Sequence, residues 1–291
     1  LEYKKNEDPA YIFQDISKNI KEKLKKLKIN KNEILGIGIS IVGIVDQENG
    51  ISVNAQGLWK KRVEVAQVFK DNFDIPVHVV NNIHSYFLAY KLFENMQTDN
   101  GNYIFLKYGT GIGSALIMNN EIQDGIHFSA GKLSHIRVES PAIVKCPCGD
   151  INCLDAVVNF YRIINEVKEV YSEEVTPVLY EKTNGIEENI NIEHIFYAYS
   201  QGEVMIKEIL ERKYYAIASV LVDIVKFIDP DRVFITGYGF TNETLNRLFF
   251  DYVYELSNRK ISREIFVKND IYKIPQYIGA VALILEKEFY N

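Results

Sequence analysis

Lys145-Cys146-Pro147-Cys148-Gly149-Asp150-Ile151-Asn152-Cys153 holds all three cysteines of a 291-residue chain, and His135 lies a short way upstream in Gly131-Lys132-Leu133-Ser134-His135. Three thiolates and one imidazole make a complete tetrahedral ligand set for a structural zinc ion. Free cysteines otherwise act as small apolar filler, and filler is scattered along strands and helices. These three share a run of Pro, Gly, Asp and Asn with no apolar period, the composition of a tight loop. A Cys146–Cys153 disulfide is the competing arrangement, but it would strand one thiol in a chain that shows no secretory signal. His135 alone carries little weight, since a lone histidine beside an apolar strand commonly serves the core.

Outside this stretch, 47% hydrophobic and 25% charged residues describe an ordinary globular protein, long enough for two lobes. No apolar run reaches the length of a membrane span, and no basic-then-apolar opening points to export, so the expected location is cytoplasmic with no membrane partner. A formal net charge of −6 leaves no basic face for neutralising phosphates, which argues against nucleic-acid contact by these residues. The first residue is Leu1 rather than Met, so a natural start upstream is expected.

Asp8-Pro9 reads as an N-cap and first-turn proline, followed by Ile12, Phe13, Ile16, Ile20, Leu24 and Leu27 at helical spacing, with a solvated lysine-rich face opposite. Ile34 to Val42 is a continuous apolar run of strand length, expected to be buried on both faces, and it ends in Gly43-Ile44-Val45-Asp46. Trp59 reads as a core or hinge aromatic. Val77-His78-Val79-Val80 forms a short strand running through Asn81-Asn82-Ile83-His84 into a helix with Leu88, Leu92 and Phe93. In parallel α/β sheets, ligands bind where a strand end enters a helix. Asparagine there also suits a plain helix cap.

A second lobe is expected from about Gly101. Tyr103–Lys107 and Ile112–Met118 read as strands around Gly109-Thr110-Gly111-Ile112-Gly113, and Asn119-Asn120 turns into a third. Such a turn is weak evidence for a ligand, because hairpins use glycine for backbone reasons. Helices are expected over 154–169, 192–198 and 202–228, the last with Ile206, Ile209, Leu210, Ala216, Val220, Ile224 and Phe227 on one side. Asp229-Pro230 stops that helix and leads into a strand ending at Gly237. The expected lobes are 1–98, joined by 276–291, and 99–275, which carries the zinc loop.

The run from Gly125 to Asp155 carries the most specific signal. Ala130-Gly131 with His135, then Cys146-x-Cys148-Gly149 and Cys153-Leu154-Asp155, resembles the signature of the ROK family, named for repressors, open reading frames and kinases. The family pattern is Ala-Gly-Glu-x-Gly-His, then Cys-x-Cys-Gly-x-x-Gly-Cys-Leu-Glu. Lys132 stands for its Glu, Ser134 and Asn152 for glycines, and Asp155 for the final Glu. Gly43 to Asp46 resembles the Pro-Gly-x-Val-Asp turn with Val42 in place of proline, and Trp59 falls where the family tends to have tryptophan. Asp229-Pro230 to Gly237 resembles the adenine-side motif with one clear glycine of the pair, and Ile278 to Val281 resembles the closing helix. The resemblance extends over nearly the whole chain.

The fold implied by this resemblance is α/β: a two-lobed actin-like ATPase, or ribonuclease-H-like, architecture with a ligand cleft and a structural zinc loop. Kinases of the family have Asn-Asp where this chain has Asn81-Asn82, and the Asp is the general base that deprotonates the sugar hydroxyl. An amide can hold a hydroxyl but has no useful proton affinity near neutral pH. The opening hairpin with an Asp-x-Gly-x-Thr phosphate loop is absent from these residues, and Gly109-Thr110-Gly111 matches the second phosphate loop, as a working loop or a remnant. The expected function is therefore a sugar-responsive transcriptional regulator, represented by its effector-binding part without kinase activity. DNA would be reached only through an upstream helix-turn-helix, and assembly as a homodimer or homotetramer is expected.

By resemblance, a sugar or sugar-phosphate effector would meet Asn81, Asn82, Lys132, His135 and Asp155. Zinc on His135, Cys146, Cys148 and Cys153 would fix the loop and aim the histidine ring. Lys132 puts an ammonium where the family has a carboxylate, which suits a phosphorylated or acidic sugar. Two other readings stand beside this one. An ATP-dependent sugar kinase would need another base, and neither His84 nor Asp155 matches the required position. A zinc-stabilised interaction protein would need no small ligand.

Overall fold

The computed structural model describes residues 8–55, 58–94, 96 and 100–290. The expected lobe boundary at 98/99 and Gly57 lie outside the described residues. The chain runs through α1 (Pro9–Leu27), β1 (Ile37–Ile41), β2 (Ile44–Asp46), β3 (Ile51–Asn54), α2 (Val65–Phe73), β4 (Val77–Asn81) and α3 (Asn82–Phe93). It continues through β5 (Tyr103–Tyr108), β6 (Ile112–Met118), β7 (Glu121–Ile122), α4 (Leu154–Val158), α5 (Phe160–Lys168), α6 (Pro177–Lys182) and α7 (Ile192–Ser200). Then come α8 (Val204–Ile228), β8 (Arg232–Thr236), α9 (Glu243–Leu256), β9 (Phe266–Lys268) and α10 (Tyr277–Glu288). No described helix is long and apolar enough to cross a membrane.

The chain folds as two compact units: Leu1–Asn100 with Asn120–Ala130 and Ile271–Asn291, and Gly101–Asn119 with Gly131–Asp270. In the first, β1 and β4 pair in parallel from Ile37 opposite Val77 to Ile41 opposite Asn81. Side chains alternate across a strand, so Ile37, Ile39 and Ile41 join Phe13 of α1 and Phe69 of α2 in one core. On the other face Gly38 lies so close to the Ala280 carbonyl of α10 that a β-carbon would collide with it. Burying Phe13 and Phe69 contributes about 2 to 3 kcal/mol each. Asp8 caps α1 by accepting the Ala10 N–H at 2.9 Å, as the Asp-Pro start predicts. Trp59 packs edge-on against Phe13 and donates its indole N–H to Ser52 Oγ at 3.0 Å, a core role.

Three expectations need correction in this unit. The apolar run beginning at Ile34 enters the sheet only at Ile37, and Val42 at its end is exposed. Of Gly43 to Asp46, only Gly43 turns, with φ +94°, and Ile44–Asp46 is a strand paired with β3. Asp46 closes that hairpin by accepting the Asn49 N–H at 3.0 Å. The segment Asn120–Ala130, expected in the second lobe, belongs to the first unit: Asn120 Nδ2 donates to the Met96 carbonyl at 2.7 Å, and Asp124 accepts from Gln47.

In the second unit β6 is antiparallel to β5, while β5, β8 and β9 run parallel. The long α8 packs Ile206, Ile209, Leu210, Ile217 and Leu221 into its core. Phe227, expected on that buried side, is 84% exposed. The buried stripe leaves the helix through Val222 and Val225, and Asp229 ends it in the left-handed conformation. The single helix expected over 154–169 is two, α4 and α5, because Asn159 turns to extended backbone (ψ 154°) and its side chain caps Arg162 N–H at 2.8 Å. At the end of β8, Gly237 has φ +109°, and a β-carbon on it would strike the backbone of Tyr108. One on Gly239 would strike the Tyr108 ring, which lies edge-on to Phe160, Tyr214 and Phe240 and donates its hydroxyl to the Val158 carbonyl at 2.7 Å.

Candidate functional site

The loop from Val144 to Cys153 is built by its own backbone. Cys146 N–H donates to the Asp150 carbonyl at 2.8 Å, and Gly149 N–H returns to the Cys146 carbonyl at 3.0 Å. Leu154 N–H donates to the Ile136 carbonyl at 2.8 Å, which joins the turn carrying His135 to the end carrying Cys153. One ligand atom from each of His135, Cys146, Cys148 and Cys153 then lies within 4.8 Å of all the others. Cys148 Sγ is 3.6 Å from Cys153 Sγ, and Cys146 Sγ is 3.8 Å from His135 Nδ1. Tetrahedral bonds of ~2.3 Å to sulfur and ~2.0 Å to nitrogen imply separations of about 3.5 Å between nitrogen and sulfur and about 3.8 Å between sulfurs. The cluster therefore fits a four-coordinate metal ion.

Its electrostatics agree. Burial, with the neighbouring thiols, pushes the Cys153 thiol up to about 12, and burial raises Cys146 as well. Burial also lowers the His135 imidazole. The pocket disfavours charge of either sign on its own groups, and a bound cation would reverse that for the thiols. The three cysteines form no disulfide with one another.

Two residues past Cys153, Asp155 reaches the glycine turn between β5 and β6. Its Oδ1 accepts the Ile112 N–H at 2.8 Å and lies 2.8 Å from where a β-carbon on Gly111 would sit. Burial raises its pKa, against the pull of that N–H and of His135. This carboxylate, expected at the effector, thus serves the turn with one oxygen. Thr110 is exposed at the tip, and Gly109 N–H closes the turn onto the Gly111 carbonyl at 2.9 Å. Lys132, half-buried, precedes the short turn carrying His135 and depresses that histidine electrostatically. Ser114 pins this segment: its hydroxyl donates to the Gly131 carbonyl and accepts Leu133 N–H at 2.8 Å.

In the first unit, β4 delivers Asn81 and Asn82 to the start of α3. Asn81 is buried and caps the helix: Oδ1 accepts Ile83 N–H at 2.8 Å and His84 N–H at 3.4 Å, and Nδ2 donates to the Gly43 carbonyl at 2.7 Å. Its amide is largely spent on the fold. Asn82 is half-buried at the first helical position, and its side chain makes no hydrogen bond to another described residue. Of the expected positions, then, the structure groups Gly109 to Gly111, Lys132, His135 and Asp155 on the second unit, with the three cysteines. Asn81 and Asn82 stand at a strand end of the first.

Sequence reasoning missed two features. Lys107, half-buried, stands with its Nζ 3.5 Å from where a β-carbon on Gly109 would lie. Its position one residue before Tyr108 in a strand could have revealed it, since alternation turns it away from the core that Tyr108 enters. In the first unit, Gln47 Nε2 lies 2.7 Å from Asp124 Oδ2 and 3.1 Å from His84 Nδ1, a contact no local pattern announces.

A match to the ROK family runs over residues 2–287. The chain belongs to the ROK family. Its relatives include the xylose repressor of Caldicellulosiruptor bescii, 24% identical over 288 residues, covering 96% of this chain and 69% of the repressor. They also include the glucokinase of Halalkalibacterium halodurans, 21% identical over 236 residues, covering 80% of this chain and 70% of the kinase. Among solved structures, a ROK family transcriptional regulator homologous to the E. coli MLC protein aligns with a TM-score of 0.74 at 19% identity, over 94% of this chain and 68% of that one. A ROK family glucokinase from Streptomyces griseus, in complex with glucose and AMPPNP, aligns with a TM-score of 0.68 at 20% identity, over 88% and 82%. This ROK chain therefore has the mixed α/β, actin-like ATPase fold that the family shares with sugar kinases.

Proposed function

We propose that this ROK protein is the effector-binding part of a sugar-responsive transcriptional regulator and does not phosphorylate sugars. The observation that carries the reading is Asn82, which stands at the start of α3 after the strand end of β4. By family resemblance this is the position of the kinase base, and an amide can bind a sugar hydroxyl there without taking its proton. The match to a xylose repressor over 96% of the chain supports the same reading. The effector is a sugar, with Asn82 as its polar contact and Asn81 holding the helix start that presents Asn82. DNA is contacted by a helix-turn-helix outside these residues, and the chain acts as a homo-oligomer in the cytoplasm.

Zinc is the metal that suits His135, Cys146, Cys148 and Cys153. Bound there, it would supply a structural cross-link between these four residues. The chain's own part is to bring the His135 ring against the cysteine loop, with Nδ1 3.8 Å from Cys146 Sγ, so that the loop orients it.

A coupled assay with ATP and a panel of pentoses and hexoses, run beside calorimetry with the same sugars, tests the proposal. Sugar binding without turnover supports it, and turnover at ordinary kinase rates defeats it. The kinase reading keeps one specific support, the H. halodurans glucokinase matching 80% of the chain. Losing a general base typically costs about 10² to 10⁴ in rate, so the two outcomes are well separated.

A further inference from the structure

The loop that gathers the three cysteines exposes them unequally. Cys146 and Cys153 are buried, whereas Cys148 is exposed at the tip, between Pro147 and Gly149, which are exposed with it. Beyond its chain neighbours, no heavy atom lies within 4 Å of where a β-carbon on Gly149 would sit, so the approach to the tip is open. Cys148 Sγ is already 3.6 Å from Cys153 Sγ, and a disulfide closes such a gap to about 2.05 Å. Cys146 Sγ has His135 Nδ1 beside it at 3.8 Å. Asn152 N–H donates to the Val144 carbonyl at 2.7 Å and Cys146 N–H to the Asp150 carbonyl at 2.8 Å, which ties the two arms of the loop together. An accessible sulfur with a second one beside it is the arrangement in which cysteine oxidation stops reversibly at a disulfide.

We propose that Cys148 is a site of modification by hydroperoxides, with Cys153 as the residue that resolves it. With hydrogen peroxide, the Cys148 sulfur attacks one peroxide oxygen, the O–O bond breaks, and water leaves Cys148 as a sulfenic acid. The Cys153 sulfur then attacks the Cys148 sulfur: the S–S bond forms, the S–O bond breaks, and a second water leaves. The two sulfurs together lose two electrons, which the peroxide gains. The two thiols supply the two protons that complete the waters, and where the sulfurs are metal-bound thiolates, solvent supplies them instead. Thiolate is the form that binds a metal ion, so the product keeps only His135 and Cys146 of the four ligands. Oxidation should therefore release zinc. The release rests on the metal reading, whereas the disulfide depends on neither that reading nor the regulator reading.

The test treats the 291-residue chain, purified without chelator, with hydrogen peroxide. Intact mass should fall by two hydrogens, peptide mapping should link Cys148 to Cys153, and a chromogenic chelator should register zinc leaving in step. Dithiothreitol with added zinc should restore both mass and metal. Before oxidation, iodoacetamide should label Cys148 at least about tenfold faster than Cys146 or Cys153, since access governs the reaction. Cys153→Ser should arrest the reaction at a sulfenic acid on Cys148, captured by dimedone. Should that variant fail to fold, the wild-type map decides. A link from Cys146 to either other cysteine, a sulfinic acid with no disulfide, or a mass unchanged by peroxide that oxidises free cysteine overturns the inference. So does an ion that stays after the bond has formed. A chain that holds no zinc but forms the Cys148–Cys153 bond keeps the modification site and removes the metal reading.

Discussion

The side-chain carbonyl of Asn152 accepts the backbone N–H of Val144 at 2.8 Å, across the mouth of the cysteine loop. Asn152 itself is left-handed, with φ 55°, and its own backbone bonds Val144 and Val138 on either side. The family pattern has glycine here, the residue that adopts this conformation freely. Asparagine tolerates it better than other side chains do and adds a bond that glycine cannot make. Asn152→Gly should therefore cost about 1 kcal/mol, the lost hydrogen bond. Asn152→Ala should cost about 2 to 3 kcal/mol, because strain is added to the loss. Urea denaturation of the metal-loaded protein measures both, and equal costs would show that the conformation at 152 carries no strain.

The ligand geometry predicts close to one zinc per chain in protein purified without chelator. Because burial and the neighbouring thiols favour the protonated Cys153 thiol, loading must release protons. A pH-indicator titration with zinc should register that release, and Cys153→Ser should diminish it. Chelation should lower the unfolding temperature, and a melting curve indifferent to chelator would count against a structural metal.

Asn81 and Asn82 should separate cleanly by mutation. Asn81→Ala removes a helix cap and leaves the Gly43 carbonyl without its donor, a loss of about 2 to 3 kcal/mol. Asn82→Ala should change stability by less than about 0.5 kcal/mol. Under the proposed function it should nonetheless weaken sugar binding in calorimetry. If Asn82→Ala binds every sugar as wild type does, the strand end is a cap and nothing more.

Glu203 offers a pH test far from the metal loop. Its Oε1 accepts Val178 N–H at 2.7 Å, its Oε2 has no hydrogen-bond partner among the described residues, and burial raises its pKa. A folded-state pKa above the unfolded value of about 4.3 means that the native state keeps the proton longer. Ionisation therefore subtracts from stability as pH rises through the folded value, and subtracts nothing below the unfolded one. Glu203→Gln keeps an acceptor for Val178 without the charge. It should melt higher than wild type at pH 8 and no differently near pH 4, whereas a constant offset would assign the effect to packing.

The cysteine cluster was legible because metal ligands must converge, and convergence leaves a trace in spacing. Asp8-Pro9, the parallel strand at Val77 and the strands flanking Gly109 were legible because caps, apolar runs and turns are local chemistry. The hairpin of β2 and β3 escaped notice because Ile44–Asp46 is too short for alternation to register, and its closure depends on one Asp46–Asn49 contact. Asn159 broke an expected helix for a similar reason: one side chain chose to cap Arg162. The placement of Asn120–Ala130 with the first unit depends on partners as distant as Gln47, which no window along the chain can see. Lys107 was hidden by the same logic, since a lysine in a strand looks solvated until the turn beside it is built.

The crowding around Tyr108 also bears on how this sequence is able to change over generations. Its backbone denies position 237 any side chain, and its ring denies one to position 239. A lineage can trade away the ring and reopen 239, but no exchange at 108 reopens 237, because the obstacle there is shared by all twenty residues.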